Sequence, residues 1–167
     1  MSMEDLDALF EHRLKEIYFT EKNQLSILDE LAEEALDEEL KITLEEHREE
    51  TETHITRLEE VFKTIESTPK THADESFNGI LKERQAFHLQ KPAEEIRELA
   101  NMSTAIRIER HEISAYEELI LFAKHLDMED TAALLEQTLD EEHAMLERLQ
   151  EHFEDLETEE EESEEEE

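Results

Sequence analysis

The fold is decided by residues 40–65, LKITLEEHREETETHITRLEEVFKTI. Steps of three and four residues place one set of side chains on a single face: Leu40, Leu44, His47, Glu50 or Thr51, His54, Leu58, Val61 and Ile65. This spacing marks the buried side of an α-helix. The face is apolar at both ends, but its middle carries histidine and glutamate. A buried carboxylate is costly unless a counter-charge or a metal compensates it, so other parts of the chain should meet this cluster.

The composition favours a protein made of long helices. The 167 residues fit one domain with a sizeable core, and they include one Gly, two Pro and only 5% aromatic residues. Few turns and few strand-forming side chains are therefore expected. The sequence predicts an all-α fold.

Three further predicted helices carry the same kind of interruption. They cover residues 3–34, residues 92–126 and the stretch from residue 131 onward. Their otherwise apolar faces are broken by Glu21 in the first helix, Glu109 and Glu112 in the third, and Glu142 with His143 beside it in the fourth. Each break lies about halfway along its helix, so the polar groups should meet at one height in a bundle.

The connections between these helices predict the topology. Residues 35–38 and 127–130 are short turns, which imply antiparallel neighbours. The link between the second and third long helices has about 25 residues and its own short helix over residues 76–89, far more than adjacent bundle helices need. Such a link can cross the bundle. The predicted architecture is a four-helix bundle, up-down-down-up with a long crossover, as in ferritin-like folds.

The midplane cluster predicts a metal site. The candidate ligands are Glu21, His47, Glu50, His54, Glu109, Glu112, Glu142 and His143. Several carboxylates in one core cannot all stay ionised unaided, and two divalent ions would supply the missing positive charge. Glu50 and one carboxylate of the third or fourth helix are the candidate bridges. Oxygen-rich ligation with histidine suits iron or manganese better than zinc.

Tyr116 and the remaining histidines are not expected to bind metal. Tyr116 is expected in the core with its hydroxyl bonded to a ligand carboxylate. The remaining histidines are predicted to be surface groups: His12, His72, His88, His111, His125 and His152.

The formal net charge is -35, from 16 Lys and Arg against 51 Asp and Glu. Such a surface repels nucleic acid and anionic membranes, so neither is expected as a partner. Because salt screens neighbouring carboxylates, the acidic excess predicts an origin in an extremely halophilic organism.

From residue 157 the chain is almost pure glutamate and is expected to be disordered. The predicted domains are a helical bundle over residues 1–156 and an acidic tail over 157–167.

The chain contains no cysteine, which excludes thiolate ligands, disulfides and thiol catalysis. No apolar run approaches the length of a membrane span, and no leader sequence precedes Leu6. These features predict a cytoplasmic protein.

Five segments carry a family resemblance: IYFTEKNQL at 17–25, EHREET at 46–51, RLEEVF at 57–62, IERHEI at 108–113 and TLDEE at 138–142. Together they resemble the YciE/YciF-type ferritin-like stress proteins. The resemblance implies a homodimer, a di-iron centre and a role in stress. Phe77 and Phe87 of the crossover are the expected dimer contacts. Ferritins carry Glu-x-x-His in their second and fourth helices, whereas this chain has His47-x-x-Glu50 and lacks the motif at Glu142.

These observations leave three functions open. The first is a di-metal protein that binds iron and oxidises Fe(II) with dioxygen or peroxide, a ferroxidase-type oxidoreductase activity. The second is a non-enzymatic helical stress protein whose buried polar layer fixes the helix register and holds no metal. The third is manganese-dependent breakdown of peroxide. Stoichiometric iron binding would separate the first from the second.

Overall fold

The computed structural model describes residues 3–165, with side chains described as far as residue 156. Five helices follow one another along the chain: α1 (Leu6–Glu34), α2 (Glu38–Thr64), α3 (Glu75–His88), α4 (Glu94–His125) and α5 (Glu129–Glu165). The described residues contain no strand. The predicted all-α class is therefore confirmed, and the predicted helices coincide with the observed ones to within a few residues.

Aspartate side chains begin three of the five helices. Asp5 accepts from the N–H of Ala8 at 2.8 Å, and Asp37 accepts from the N–H of Leu40 at 2.7 Å. Asp74 caps α3 in the same way. These carboxylates satisfy amides that have no partner within the helix and suit the positive end of the helix dipole.

Residues other than glycine end three helices. Glu66, Lys91 and Asp127 adopt positive φ angles of 54°, 53° and 56°, just after α2, α3 and α4. Glycine usually holds this left-handed position at a helix end because other residues are strained there. The absence of glycine explains why the sequence marks these ends so weakly.

Contacts at both ends of the bundle show how α1 and α4 run. Asn101 near the start of α4 donates to Glu34 at the end of α1 at 2.7 Å. At the other end, Arg13 of α1 lies 2.9 Å from Glu118 of α4. The two helices are therefore antiparallel. Because α1 is also antiparallel to α2 across a short turn, α2 and α4 point the same way, joined by residues 65–93.

Two apolar clusters fill the ends of the bundle and leave a polar layer between them. The first includes Phe10, Leu14, Leu58, Phe62, Leu119 and Leu135. The second includes Leu28, Leu31, Leu44, Met102, Met145 and Leu149. Every long helix contributes to both clusters, so each passes through the layer that separates them.

One residue expected at a dimer contact lies inside the chain. The Phe77 side chain is fully buried, with its ring edge-on to that of Phe19 at a centroid distance of 6.4 Å. It packs α3 onto α1 and cannot touch a second chain, so that expectation was wrong. Phe87 is only partly buried. The homodimer itself remains a prediction.

The last helix runs into the stretch predicted to be a tail. Helix α5 continues to Glu165, and residues 166 and 167 lie outside the described part of the chain. The division into a bundle and a disordered tail stays a prediction. Within residues 3–165, no helix combines the length and apolar composition that crossing a membrane requires.

Candidate metal centre

Six buried ionisable side chains meet in the polar layer. Each exposes at most 1% of its surface, and they come from all four long helices: Glu21, His47, His54, Glu109, Glu112 and Glu142. Their equal heights follow from the short α1–α2 and α4–α5 turns, which fix how the helices align. Six of the eight predicted site residues are thus brought together.

One half of the cluster surrounds His47. Its Nε2 lies 3.0 Å from Glu109 Oε1 and 3.7 Å from Glu142 Oε2. One ligand atom from each of His47, Glu109, Glu112 and Glu142 falls within 4.8 Å of the others. These atoms can therefore surround a single ion.

The other half surrounds His54. Its Nδ1 lies 3.5 Å from Glu21 Oε1 and 3.0 Å from Glu142 Oε1. Glu21, His54 and Glu142 form a second set of atoms within 4.8 Å of one another. Glu142 belongs to both sets, with a different oxygen toward each histidine. This geometry makes Glu142 the candidate bridge. It lies on the fourth long helix, and one of the two bridges was predicted to come from the third or fourth.

Most of these atoms have no hydrogen-bond partner. In the described part of the chain, nine buried side-chain polar atoms lack one, and seven belong to the cluster: Glu21 Oε2, His54 Nδ1, Glu109 Oε2, both Glu112 oxygens and both Glu142 oxygens. Buried polar atoms are normally satisfied, and exceptions require an explanation such as an ion. The donor set of oxygens and two imidazoles fits a divalent metal.

Glu50 does not occupy the interior position expected for it. Its side chain is 36% exposed, and its Oε2 lies 3.4 Å from His47 Nδ1. Thr51 takes the interior position instead and is fully buried. The expectation that Glu50 bridges two metals from the core is therefore not supported by the geometry, because the helix turns that side chain outward. Glu50 lies behind His47 and can orient its ring.

Glu141 holds an equivalent position behind the second histidine. His54 Nε2 lies 3.1 Å from Glu141 Oε2, and Arg57 binds the same carboxylate. Each histidine of α2 thus directs one ring nitrogen into the cluster and the other toward an outer carboxylate. Such outer partners fix the ring orientation of metal-binding histidines. Glu141 was not predicted as a site residue, because the apolar stripe continues through its neighbour Glu142.

His143 also lies outside the cluster. Its side chain is 53% exposed, and the nearest carboxylate is Glu117 at 4.0 Å. The sequence-based proposal of His143 as a ligand fails because one residue beyond Glu142 on a helix points about 100° away.

Two further polar side chains complete the layer. Tyr116, fully buried, donates its hydroxyl to Glu21 Oε1 at 2.5 Å, in agreement with the role expected for it. Gln24 is also buried and lies 3.5 Å from His47 through its amide nitrogen. Gln24 follows Glu21 by three residues, a helical spacing that places both side chains on the same face of α1.

Burial and mutual repulsion disturb the ionisation of the carboxylates. Burial raises the pKa of Glu112 well above its usual range, and the charges of Glu142 and Glu21 raise it further. The pKa of Glu142 is raised for the same reasons, with Glu109 as the largest neighbouring charge. Both groups therefore resist ionisation unless positive charge is present.

The histidines, in contrast to these carboxylates, favour their charged form. Burial alone would lower the pKa of His54, but the carboxylates of Glu21 and Glu142 raise it to about 10. Burial likewise opposes protonation of His47, and Glu109 nevertheless raises its pKa well above the usual range. The layer is thus built to hold positive charge, supplied by protons or by metal.

The protein is thus all-helical, with a buried carboxylate–histidine cluster that can hold a metal ion. The chain belongs to the DUF892 family, a domain of unknown function, whose sequence profile matches residues 5–162. The predicted YciE/YciF-type resemblance is supported, at the level of the family, by similarity to YciF itself.

Known proteins support this assignment. The chain is 30% identical over 146 residues to Protein YciF of Escherichia coli (strain K12), covering 86% of this chain and 87% of YciF. The crystal structure of the E. coli stress protein YciF superposes with a TM-score of 0.86 at 27% identity, over 92% of this chain and 98% of YciF. YcfI of Rhodopseudomonas palustris gives 0.86 at 28% identity, over 89% of this chain and 95% of YcfI.

Proposed function

We propose that this protein is a ferritin-like di-metal carboxylate protein that binds two iron ions in the buried cluster and oxidises Fe(II) with dioxygen or peroxide. The observation that carries the proposal is the pair of overlapping ligand sets that share Glu142. Their unpaired oxygens lie in a layer closed by apolar clusters at both ends.

The chain offers a separate ligand set for each ion. His47, Glu109, Glu112 and Glu142 would hold one, and Glu21, His54 and Glu142 would hold the other. Each set combines one imidazole with several carboxylate oxygens, a mixture that suits iron, with manganese as the second choice. Two divalent ions would also compensate the four buried carboxylates.

When bound, an iron pair supplies one-electron redox chemistry and a place for dioxygen or peroxide to react. The chain supplies the surroundings. Glu50 and Glu141 orient the two imidazoles, and Tyr116 holds Glu21 in place. The apolar clusters exclude bulk water, which strengthens every electrostatic interaction in the layer.

A second function has its own supporting observation. Without metal, protons on His47, His54, Glu112 and Glu142 can neutralise the layer, as the raised pKa values of these groups allow. The layer would then fix the helix register in a non-enzymatic stress protein.

The biological setting forms part of the proposal. A role in the stress response follows from similarity to YciF, which is described as a stress protein. We extend the proposal to a cytoplasmic homodimer from a halophile on the basis of the family resemblance and the acidic composition.

The test is an assay of iron oxidation. Protein purified in molar salt without chelator is stripped of metal, loaded anaerobically with Fe(II) and mixed with dioxygen or, separately, with peroxide. Fe(II) should be lost faster in the presence of wild-type protein than in buffer alone. It should be lost more slowly with Glu112→Gln than with wild type. The exposed variant Glu49→Gln serves as the control and should match wild type. Iron binding without accelerated oxidation would reject the enzymatic part, and no stoichiometric binding would favour the metal-free bundle.

A further inference from the structure

A second group of metal-binding side chains lies on the surface, away from the polar layer. His12 and Glu16 are four residues apart on one face of α1, and His72 approaches them from the irregular segment between α2 and α3. One ligand atom from each residue lies within 4.8 Å of the other two. We infer that His12, Glu16 and His72 form a surface site for a divalent first-row cation of the zinc type.

The spacing of the ligand atoms suits such an ion. Ligand atoms about 2.0–2.1 Å from a tetrahedral zinc ion lie about 3.3–3.4 Å from one another. His12 Nε2 is already 3.4 Å from Glu16 Oε1. The His12 and His72 rings have centroids 4.6 Å apart and planes inclined at 50°. A rotation of the exposed His72 side chain can therefore complete the set.

The supporting contacts hold two of the three ligands in place. The backbone N–H of His72 donates to the backbone carbonyl of Lys15 at 3.0 Å, which fixes the loop backbone on α1. Arg13 binds Glu16 Oε2 at 2.8 Å, so the other carboxylate oxygen is the one that faces His12. Neighbouring groups that orient ligands in this way favour metal binding.

The chemistry of this site differs from that of the buried centre. Two imidazoles and one carboxylate leave a fourth position for water, as in many zinc sites with three protein ligands. The nitrogen content favours zinc, whereas the oxygen-rich buried cluster favours iron or manganese. An ion here would link the crossover to α1 by metal coordination, and not by a surface ion pair.

The experiment is a zinc titration of four proteins stripped with chelator: wild type, His12→Ala, His72→Ala and His125→Ala. Zn²⁺ is added against a colorimetric competitor at about pH 7.5, because metal ligation requires neutral imidazole. His125 is exposed and bonds the carbonyl of Leu121 in its own helix, so His125→Ala is the matched control. Any uptake by the buried centre is common to all four proteins.

Wild type and His125→Ala should bind one more Zn²⁺ per chain than either His12→Ala or His72→Ala. Equal uptake by all four proteins, or a loss confined to one of the two test variants, would overturn the inference. Hydrogen exchange provides a second measurement that does not depend on stoichiometry. Zn²⁺ should slow exchange of the residue 67–74 amides in wild type more than in His72→Ala, and an identical response would count against the site.

Discussion

His54 Nδ1 lies 3.0 Å from Glu142 Oε1, yet neither atom has a hydrogen-bond partner among the described residues. The other oxygen of Glu142 faces His47 Nε2 at 3.7 Å. The atoms approach a common space without the geometry of hydrogen bonding. A carboxylate placed between two imidazoles in this way is the group through which the proposed pair of metal ions would be joined.

The first prediction concerns the stability of Glu142→Gln. Burial and neighbouring charges raise the pKa of Glu142, so its ionised form destabilises the metal-free fold. Above about pH 4.5 the unfolded chain gains more from ionising this group than the folded chain does, so replacing it with a neutral amide of similar shape should stabilise the metal-free protein at neutral pH. The same variant should gain less stability from added Fe(II) than wild type.

Urea denaturation with and without Fe(II) measures both effects. Glu49→Gln removes an exposed charge on α2 and should behave like wild type. A metal-free Glu142→Gln protein less stable than wild type would mean that the carboxylate is satisfied by protein groups alone.

The second prediction is a pH dependence confined to the metal-free protein. The pKa of His54 is raised from 6.5 to about 10 by Glu21 and Glu142 against the effect of burial. The stability that this group contributes is complete below pH 6.5 and is lost as pH rises through about 10. The raised pKa values of Glu112 and Glu142 act in the same direction above 4.5. Since the folded state binds more protons, stability should fall as pH rises.

Metal binding replaces those protons, so the metal-loaded protein should lose this slope. Urea midpoints for both forms at about pH 6 and about pH 9 test the difference. Parallel slopes for the two forms would indicate that the metal does not bind at these groups.

The sequence predicted the fold because its signals are local. Helical periodicity alone places the apolar stripes and their polar interruptions. Two short turns then fix the common height of Glu21 and His54 with the other cluster members. At several helix ends, residues such as Asp127 adopt positive φ where glycine is usual, so the sequence carries no glycine signal there.

The errors in the predicted site arise from helical phase. One residue is about 100° of rotation, so the stripe can pass through Glu50 or Thr51 with equal regularity. In a chain with 51 Asp and Glu, composition does not separate the inner residue from its neighbour. The choice depends on how α2 and α5 rotate against each other, and only their packing determines that. His72 was predicted to be a surface group, and its side chain is exposed in the structure.

The third prediction concerns Glu141, which lies behind His54. Glu141→Gln should weaken iron binding by about 10–100-fold, because the ring orientation of His54 is no longer fixed by a charged partner. The fold should persist, since this side chain is partly exposed. Glu60→Gln, an exposed change on α2, is the control. Anaerobic Fe(II) binding compares the three proteins, and unchanged affinity in Glu141→Gln would remove its positioning role.

The fourth prediction concerns Asp74, which joins the crossover to α1 and α4. Its oxygens accept from Thr20 at 2.9 Å, His111 at 2.6 Å and the N–H groups of Ser76 and Phe77 at 3.1 Å. Asp74→Ala should cost about 2–3 kcal/mol. Asp5→Ala removes a cap with one bond and should cost about 1 kcal/mol.

Acid should reproduce part of the Asp74 effect. Burial opposes ionisation of Asp74, but the bonds from His111 and the Phe77 N–H lower its pKa below 3.8. Its contribution is present above pH 3.8 and is lost as pH falls through the lower folded value. Urea denaturation should therefore show wild type and Asp74→Ala converging in acid. A constant difference between them would show that the charge is not responsible.

The most direct test of the central claim is an anaerobic Fe(II) titration of wild type, Glu142→Ala and Glu49→Ala, with helicity monitored by circular dichroism. Wild type and Glu49→Ala should each bind two Fe(II) tightly per chain. A folded Glu142→Ala protein should lose both, because that carboxylate serves both ligand sets. Equal, weak uptake by all three proteins would contradict the di-metal centre.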